Sequence, residues 1–409
     1  MDINSRRNNI TIRLDRFGQA KYLNDCILHE INNGNEKITV NILDSFSGSN
    51  VCAPIAGIID FHRRNGVKIH VNCPPKSYAN HVRIYNPVFI EETDSDFAPF
   101  DKVYAFSSPE GVCKIVNMYS IALRQGDELE NGVIQGLEWC MNESIDNVLQ
   151  HSTSPNGFVM AQLNKQSKLF SFCVFDSGIG IFNSLHESRH APQNQLSAIL
   201  LSMKERITRS EQIGQGNGLW GLSQIIKETK GKLLISSGGA RYEYSNGNEK
   251  TVETGDFNLG KENGTTMIDF QLNYSSPIDV ARALDGHEPL DLWMENHEDE
   301  KGDIILDVAK ESNGTGTRKA AEKMRNIVIN CFKENYSVVN LDFKNVSMLS
   351  SSFADELIGK LVAKFGFSKF MEHIVLSNLN SFNSAIVNRS VGQRMAQIYM
   401  DEIINEEQD

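Results

Sequence analysis

Asn142-Glu143-Ser144-Ile145-Asp146-Asn147-Val148-Leu149-Gln150-His151 is the stretch on which the rest of the chain turns. Leading into it and through it, Val133, Ile134, Leu137, Met141, Ile145, Val148 and Leu149 recur at steps of three and four. That spacing predicts a helix with an apolar stripe. Glu143, Asn147 and His151 stand four apart, which stacks them along another face of the helix. Two further polar signals follow. Asp176-Ser177-Gly178-Ile179-Gly180-Ile181 comes after the alternating run Lys168 to Phe175, which predicts a strand. Gly214-Gln215-Gly216-Asn217-Gly218-Leu219-Trp220-Gly221-Leu222 opens a helix expected to run to Lys230, with Gly231 as its C-cap.

Each signal suits one part of a nucleotide. Glycines ahead of a helix let backbone N–H groups converge on phosphate, helped by the positive end of the helix dipole. An Asp at a strand end followed by Gly-x-Gly offers a carboxylate to an exocyclic amine while the backbone lies close to a flat base. A carboxamide and a carboxylate one turn apart can divide the work on a metal triphosphate. Asn147 supplies an oxygen to Mg²⁺, and Glu143 positions or deprotonates a nucleophile.

The order Glu-x-x-x-Asn, Asp-x-Gly-x-Gly, Gly-x-Gly-x-Gly-Leu and then Gly264-Thr265-Thr266 on a late strand resembles the GHKL ATPase superfamily. His151, four residues after the Asn, makes the chain most similar to the anti-sigma-factor serine kinases within that group. The resemblance covers roughly residues 116–274 and implies a Bergerat-type site for ATP and Mg²⁺. In it Glu143 would be the base and Asn147 the Mg²⁺ ligand, with His151 beside them. Asp176 would read adenine, Gly178 and Gly180 would form the turn at the base, and Thr265 would sit near it. Gly214, Gly216 and Gly218, with Leu219, would cradle phosphate. The long segment from Phe182 to Ile213 stands where the family keeps an ATP lid, and Arg189, Lys204, Arg206 and Arg209 are its cations, for each of which a solvated helix surface is the competing expectation. Family members often dimerise, so self-association is expected.

At 409 residues, with 40% hydrophobic and 22% charged residues, the chain has the composition of a multidomain globular protein. A net charge of −12 argues against nucleic acid as the default partner. The seven cysteines are scattered without a C-x-x-C pair, which points to reduced thiols in a cytoplasmic protein and away from zinc. No membrane association is expected, because no stretch is long and apolar enough to span a bilayer.

The expected architecture is α/β and multidomain. A central GHKL α/β sandwich with a mixed sheet (116–274) is preceded by a small N-terminal α/β segment (1–115) and followed by an acidic linker (275–302). A C-terminal α/β domain (303–409) completes it. In the N-terminal segment, strands at Ile10–Leu14, Ile38–Leu43 and Val67–Val71 alternate with helices at Lys21–Ile31 and Val51–Phe61, which suggests parallel pairing. His29-Glu30-Ile31-Asn32 mimics a sensor-kinase phosphoacceptor box, but Asn32-Asn33-Gly34-Asn35 ends the helix too soon for the required hairpin.

In the C-terminal domain, strands at Asp303–Val308, Val338–Phe343 and Ile374–Leu376 alternate with helices at Thr317–Lys333 and Phe353–Phe365. The piece from Leu341 to Gly359 resembles STAS-like domains, the fold of anti-sigma-factor antagonists. That resemblance puts Ser351 at the phosphoacceptor serine, although Ser350 stands where the antagonist loop has Asp and Phe353 where it has Gly. The competing expectation is that Ser352 and Asp355 form a capping box, with Phe353 packed under the helix beside Leu357 and Leu361. The N-terminal segment repeats the same plan and could be a degenerate second STAS-like unit.

The function expected is that of an ATP hydrolase, or of a serine kinase acting on Ser351 or a separate protein, whose nucleotide state controls STAS-like or partner interactions. The non-catalytic alternative is an ATP-gated interaction module.

Overall fold

The computed structural model describes residues 8–15, 18–43, 45–93, 98–186, 191–204, 218–253, 259, 264–286, 292–312, 314–334, 336 and 338–406. The fold is mixed α/β, with three sheets among these residues. It divides into two compact units, Met1–Tyr119 with Gly136–Glu288, and Ser120–Gln135 with Pro289–Asp409.

The first unit begins with a parallel sheet of β1 (Asn9–Arg13), β2 (Lys37–Leu43) and β3 (Lys68–Asn72), in the order β1-β2-β3. Crossover helices Gln19–Asn32 and Ser49–Arg64 join the strands, as parallel pairing requires. Ile10, Ile12, Val40 and Ile42 point to the core, while Thr11 and Arg13 face the other way. The first helix stops at Asn33, whose Nδ2 lies 3.1 Å from Nε2 of the exposed His29, so the short-helix expectation for that segment holds.

A second sheet contains β4 (Val88–Phe89), β5 (Tyr104–Phe106), β6 (Gly157–Asn164), β7 (Leu169–Asp176), β8 (Lys232–Ser237), β9 (Ala240–Ser245), β10 (Asn248–Glu253) and β11 (Thr266–Asn273). Its order is β10-β9-β8-β11-β7-β6-β5-β4, antiparallel except for the β4–β5 pair. The late strand β11 therefore lies between β7 and β8 and brings Thr266 opposite Asp176.

Both faces of this sheet are covered. On one, Phe172 meets Phe270 at 5.2 Å and Tyr119 of the helix Pro109–Gly126 at 6.1 Å between ring centroids. On the other, Phe158, Met160, Cys173, Phe175 and Met267 share one core with Ile55, Ile58 and Ile59 of the helix Ser49–Arg64. Gly57 permits that approach, since a Cβ there would collide with the Phe175 ring. Residues on both sides of position 115 thus contribute to one core. A sheet whose strands alternate apolar residues on two faces needs two covers, and the N-terminal segment is the second.

The second unit holds a parallel sheet of β12 (Ile304–Asp307), β13 (Val339–Asp342) and β14 (Ile374–Ser377) in that order. Helix Arg318–Lys333 begins at Thr317, whose Oγ1 accepts from the Ala320 N–H at 3.2 Å, and buries Met324, Ile327, Val328 and Cys331. Ser351–Ala354, a π turn at Asp355–Gly359 and Lys360–Phe365 form one helical run that buries Phe353, Leu357 and Leu361. A final helix, Ser381–Glu406, lies beyond the elements expected from sequence. Its first turns bury only Asn383, Val387 and Ser390, and two polar residues among three hide an amphipathic pattern. The segment expected as an acidic linker also carries apolar anchors: Val280 and Leu284 are buried, and so are Trp293 and Met294.

Candidate functional site

Helix Val133–Asn147 presents Glu143 and Asn147 one turn apart. The Asn147 Nδ2 donates to the Glu143 carbonyl at 2.5 Å, so its oxygen is the end able to take a cation. Burial, and then the neighbouring Asp146 carboxylate, push Glu143 up to about 7. The expected four-residue stack does not continue to His151. A π turn takes over at Val148–Ser152, and Thr153 leaves it in the left-handed region at φ 58°. That change of pitch takes His151 out of the α-helical register of Asn147.

The second motif closes directly on the end of this turn. Gly178 lies so near the Ser152 carbonyl that a Cβ would overlap it, and the Ile179 N–H donates to the same oxygen at 2.8 Å. Asp176, only 2% exposed at the end of β7, accepts from the Gly178 N–H at 2.8 Å. Burial pushes its carboxyl up to about 7, and that hydrogen bond opposes the shift. Gly180 has φ +76°, and the Ile181 N–H donates to Ser237 Oγ at 2.8 Å. A Cβ on Gly264 would sit 2.7 Å from the Ile179 carbonyl, and Thr265 is fully buried with its carbonyl accepting from Gly238 at 3.1 Å. The Asp176 loop and the Gly264-Thr265 strand end are therefore in contact.

The third motif enters at Gly218, the first residue of helix Gly218–Glu228. A Cβ there would strike the Glu143 carboxylate and lie 3.7 Å from Asn147 Nδ2. Leu219 follows, half-buried. Gly214 and Gly216, with Arg189, Arg206 and Arg209, lie outside the described residues; Lys204 is exposed. Among the described residues no group of three His, Cys, Asp or Glu side chains could hold a metal ion, so a cation here would need oxygens from its ligand as well as Asn147.

Three serines and an arginine join the site, and of these only Ser177 lies within a motif that the sequence marks. Ser152, Ser154 and Ser177 tie the π turn to the Asp176 loop, and Arg64 donates to Ser177 Oγ at 3.1 Å. In the second unit, Ser351 is exposed at the start of its helix. The cap is Ser350, not Ser352: its Oγ accepts from the Phe353 N–H at 3.0 Å. Asp355, expected to complete a capping box, instead accepts from Arg394 Nε at 2.7 Å and Nη2 at 2.8 Å.

No helix among the described residues is long and apolar enough to cross a membrane. Comparison with curated proteins finds no match for the chain. A family model described as a STAS-like domain of unknown function (DUF4325) matches residues 320–383, so the chain carries a STAS-like domain at its C-terminal end.

Proposed function

We propose that residues 116–274 bind Mg²⁺-ATP in a GHKL-type site and hydrolyse it or transfer its terminal phosphoryl group, and that the nucleotide state governs the partner interactions of the STAS-like domain. The observation that carries this is the approach of Gly218 to Glu143 and Asn147, together with that of Gly178 to Ser152. With no Cβ at either point, the helix start closes on the Glu143 carboxylate and the Asp176 loop closes on the π turn, so the groups suited to phosphate and to base converge on one place. The donor set suits the ligand. Asp176 is a buried acceptor for an exocyclic amine, Asn147 offers one oxygen to Mg²⁺, and the start of helix Gly218–Glu228 offers N–H groups to phosphate.

Glu143 would take the proton from water or a hydroxyl as that oxygen attacks phosphorus. A carboxylate poised near neutrality is matched to this task. Phosphoryl transfer is mostly positioning and charge neutralisation, so whichever nucleophile reaches the site decides between hydrolysis and kinase chemistry.

The test is incubation of the full chain with Mg²⁺-ATP, with free phosphate and phosphoserine measured on the same sample. Release of phosphate without phosphoserine at Ser350–Ser352 is the expected outcome, since Ser350 already serves as a cap and lacks the carboxylate of the antagonist loop. Substantial phosphoserine there, absent in Glu143→Ala, would make the chain a kinase fused to its own substrate. Calorimetry on Asp176→Asn should show ATP affinity weakened by roughly 1–3 kcal/mol; an unchanged affinity would reject the base contact. ATP binding without turnover would favour the gated interaction module.

A further inference from the structure

We propose that Arg64, on the helix that covers the far face of the sheet, is a positioning residue for the base end of the nucleotide site and makes it responsive to the N-terminal α/β segment. The proposal rests on the nucleotide reading above. Its basis is a directed chain of hydrogen bonds. The Arg64 Nε donates to Asp60 Oδ2 at 2.6 Å, which aims the guanidinium, and Nη2 donates to Ser177 Oγ at 3.1 Å. Ser154 Oγ lies 3.1 Å from Ser177 Oγ and donates its own proton to the Asn156 carbonyl at 2.8 Å. Each hydroxyl has one proton to give. Ser154 spends its proton on Asn156, so Ser177 must donate to Ser154, and Ser177 must in turn be the acceptor of Arg64.

That chain fixes both sides of the loop that bears Asp176. Ser177 is its next residue and is 6% exposed. Ser154 is anchored to the π turn through its N–H to Ser152 Oγ at 3.0 Å. An arginine donor to a neutral hydroxyl is a charge-assisted bond with directional geometry. The donor comes from the last turn of helix Ser49–Arg64, whose first turn is held by the same sheet: Asn50 Nδ2 donates to Asp269 Oδ2 at 3.2 Å, and the Ser49 N–H donates to Gln162 Oε1 at 2.9 Å. One helix of the N-terminal segment therefore touches the sheet at its start and the Asp176 loop at its end. A displacement of that helix would be felt by the loop.

The experiment uses the full chain and two competitors of a fluorescent ATP analogue, namely ATP and inorganic tripolyphosphate, with Mg²⁺. Arg64→Ala is expected to weaken ATP binding about threefold to tenfold, the range of one lost hydrogen bond, and to leave tripolyphosphate binding unchanged. Ser177→Ala should give a loss of the same size, the double variant no more than either single one, and Arg64→Lys partial recovery. Unchanged ATP affinity in Arg64→Ala, or equal losses for ATP and tripolyphosphate, would overturn the positioning role while leaving the nucleotide site intact. A wild-type chain that binds tripolyphosphate and ATP equally well, or neither, would overturn the site assignment and this proposal with it.

Discussion

Glu143 is raised to about 7 by burial and by Asp146, so only above neutrality is it mostly a carboxylate. Turnover that uses it as a base should therefore climb as pH rises through about 7, and a rate flat between pH 6 and 8 (roughly one unit either side) would contradict the assignment. Glu143→Ala should lose about 10²–10⁴-fold in turnover while ATP affinity measured by calorimetry changes little, because a base acts on the transition state more than on bound substrate. Asp269 provides a separate check on the opposite face of the sheet. It is 4% exposed, and burial raises it from 3.8 to about 7 against the bond from Asn50. A carboxyl raised on folding binds more protons in the fold than out of it. Its contribution to stability is full below pH 3.8 and is lost as pH climbs through about 7. Asp269→Asn keeps an oxygen for Asn50 and removes the charge. Urea unfolding at pH 8 (about one unit above that value) should show it more stable than wild type by roughly 1–3 kcal/mol, with a flatter pH dependence. An identical pH profile would mean the carboxylate is not carrying that burden.

At the scale of elements, two of the helices that carry candidate site residues change pitch. Val133–Asn147 gives way to the π turn Val148–Ser152, and Ser351–Ala354 to the π turn Asp355–Gly359. In the first case the turn delivers the Ser152 carbonyl to Ile179, so the helix end and the Asp176 loop become one piece. In the second, Asp355 is turned toward Arg394, which holds its carboxyl below the usual carboxylate range. The capping arrangement predicts an asymmetry among the three serines. Ser350→Ala should destabilise the helix 351–365 by about 1 kcal/mol, whereas the exposed Ser352→Ala should stay within about 0.5 kcal/mol. Hydrogen exchange at the amides from Phe353 onward is the measurement; equal effects would reject Ser350 as the cap, and a larger effect in Ser352→Ala would return the cap to Ser352.

At the scale of the molecule, the first unit has a shared core where strand–helix periodicity alone suggests two. Gly57 is the test point, because any side chain there meets Phe175 and Phe158. Gly57→Ala should destabilise by roughly 1–3 kcal/mol through overpacking. Exchange should accelerate in β1–β3 and in β6–β7 together; loosening confined to β1–β3 would show that the two parts fold independently. The sequence by itself determined most of the strands and crossover helices, because period-two and period-3.6 patterns are local and the parallel pairing follows from crossover length. It also picked out Glu143, Asn147, Asp176, Gly178, Gly180 and Gly218 as candidates for a nucleotide site, through the order and spacing of their motifs. Only the tertiary structure decided that Gly218 faces Glu143, that Arg64 reaches Ser177, that Ser350 and not Ser352 is the cap, and that the N-terminal helix closes the sheet. The first, second and fourth depend on residues brought together across the fold, which leaves no trace in local spacing, and the third on the residue at which the helix starts, which a run of three serines does not single out.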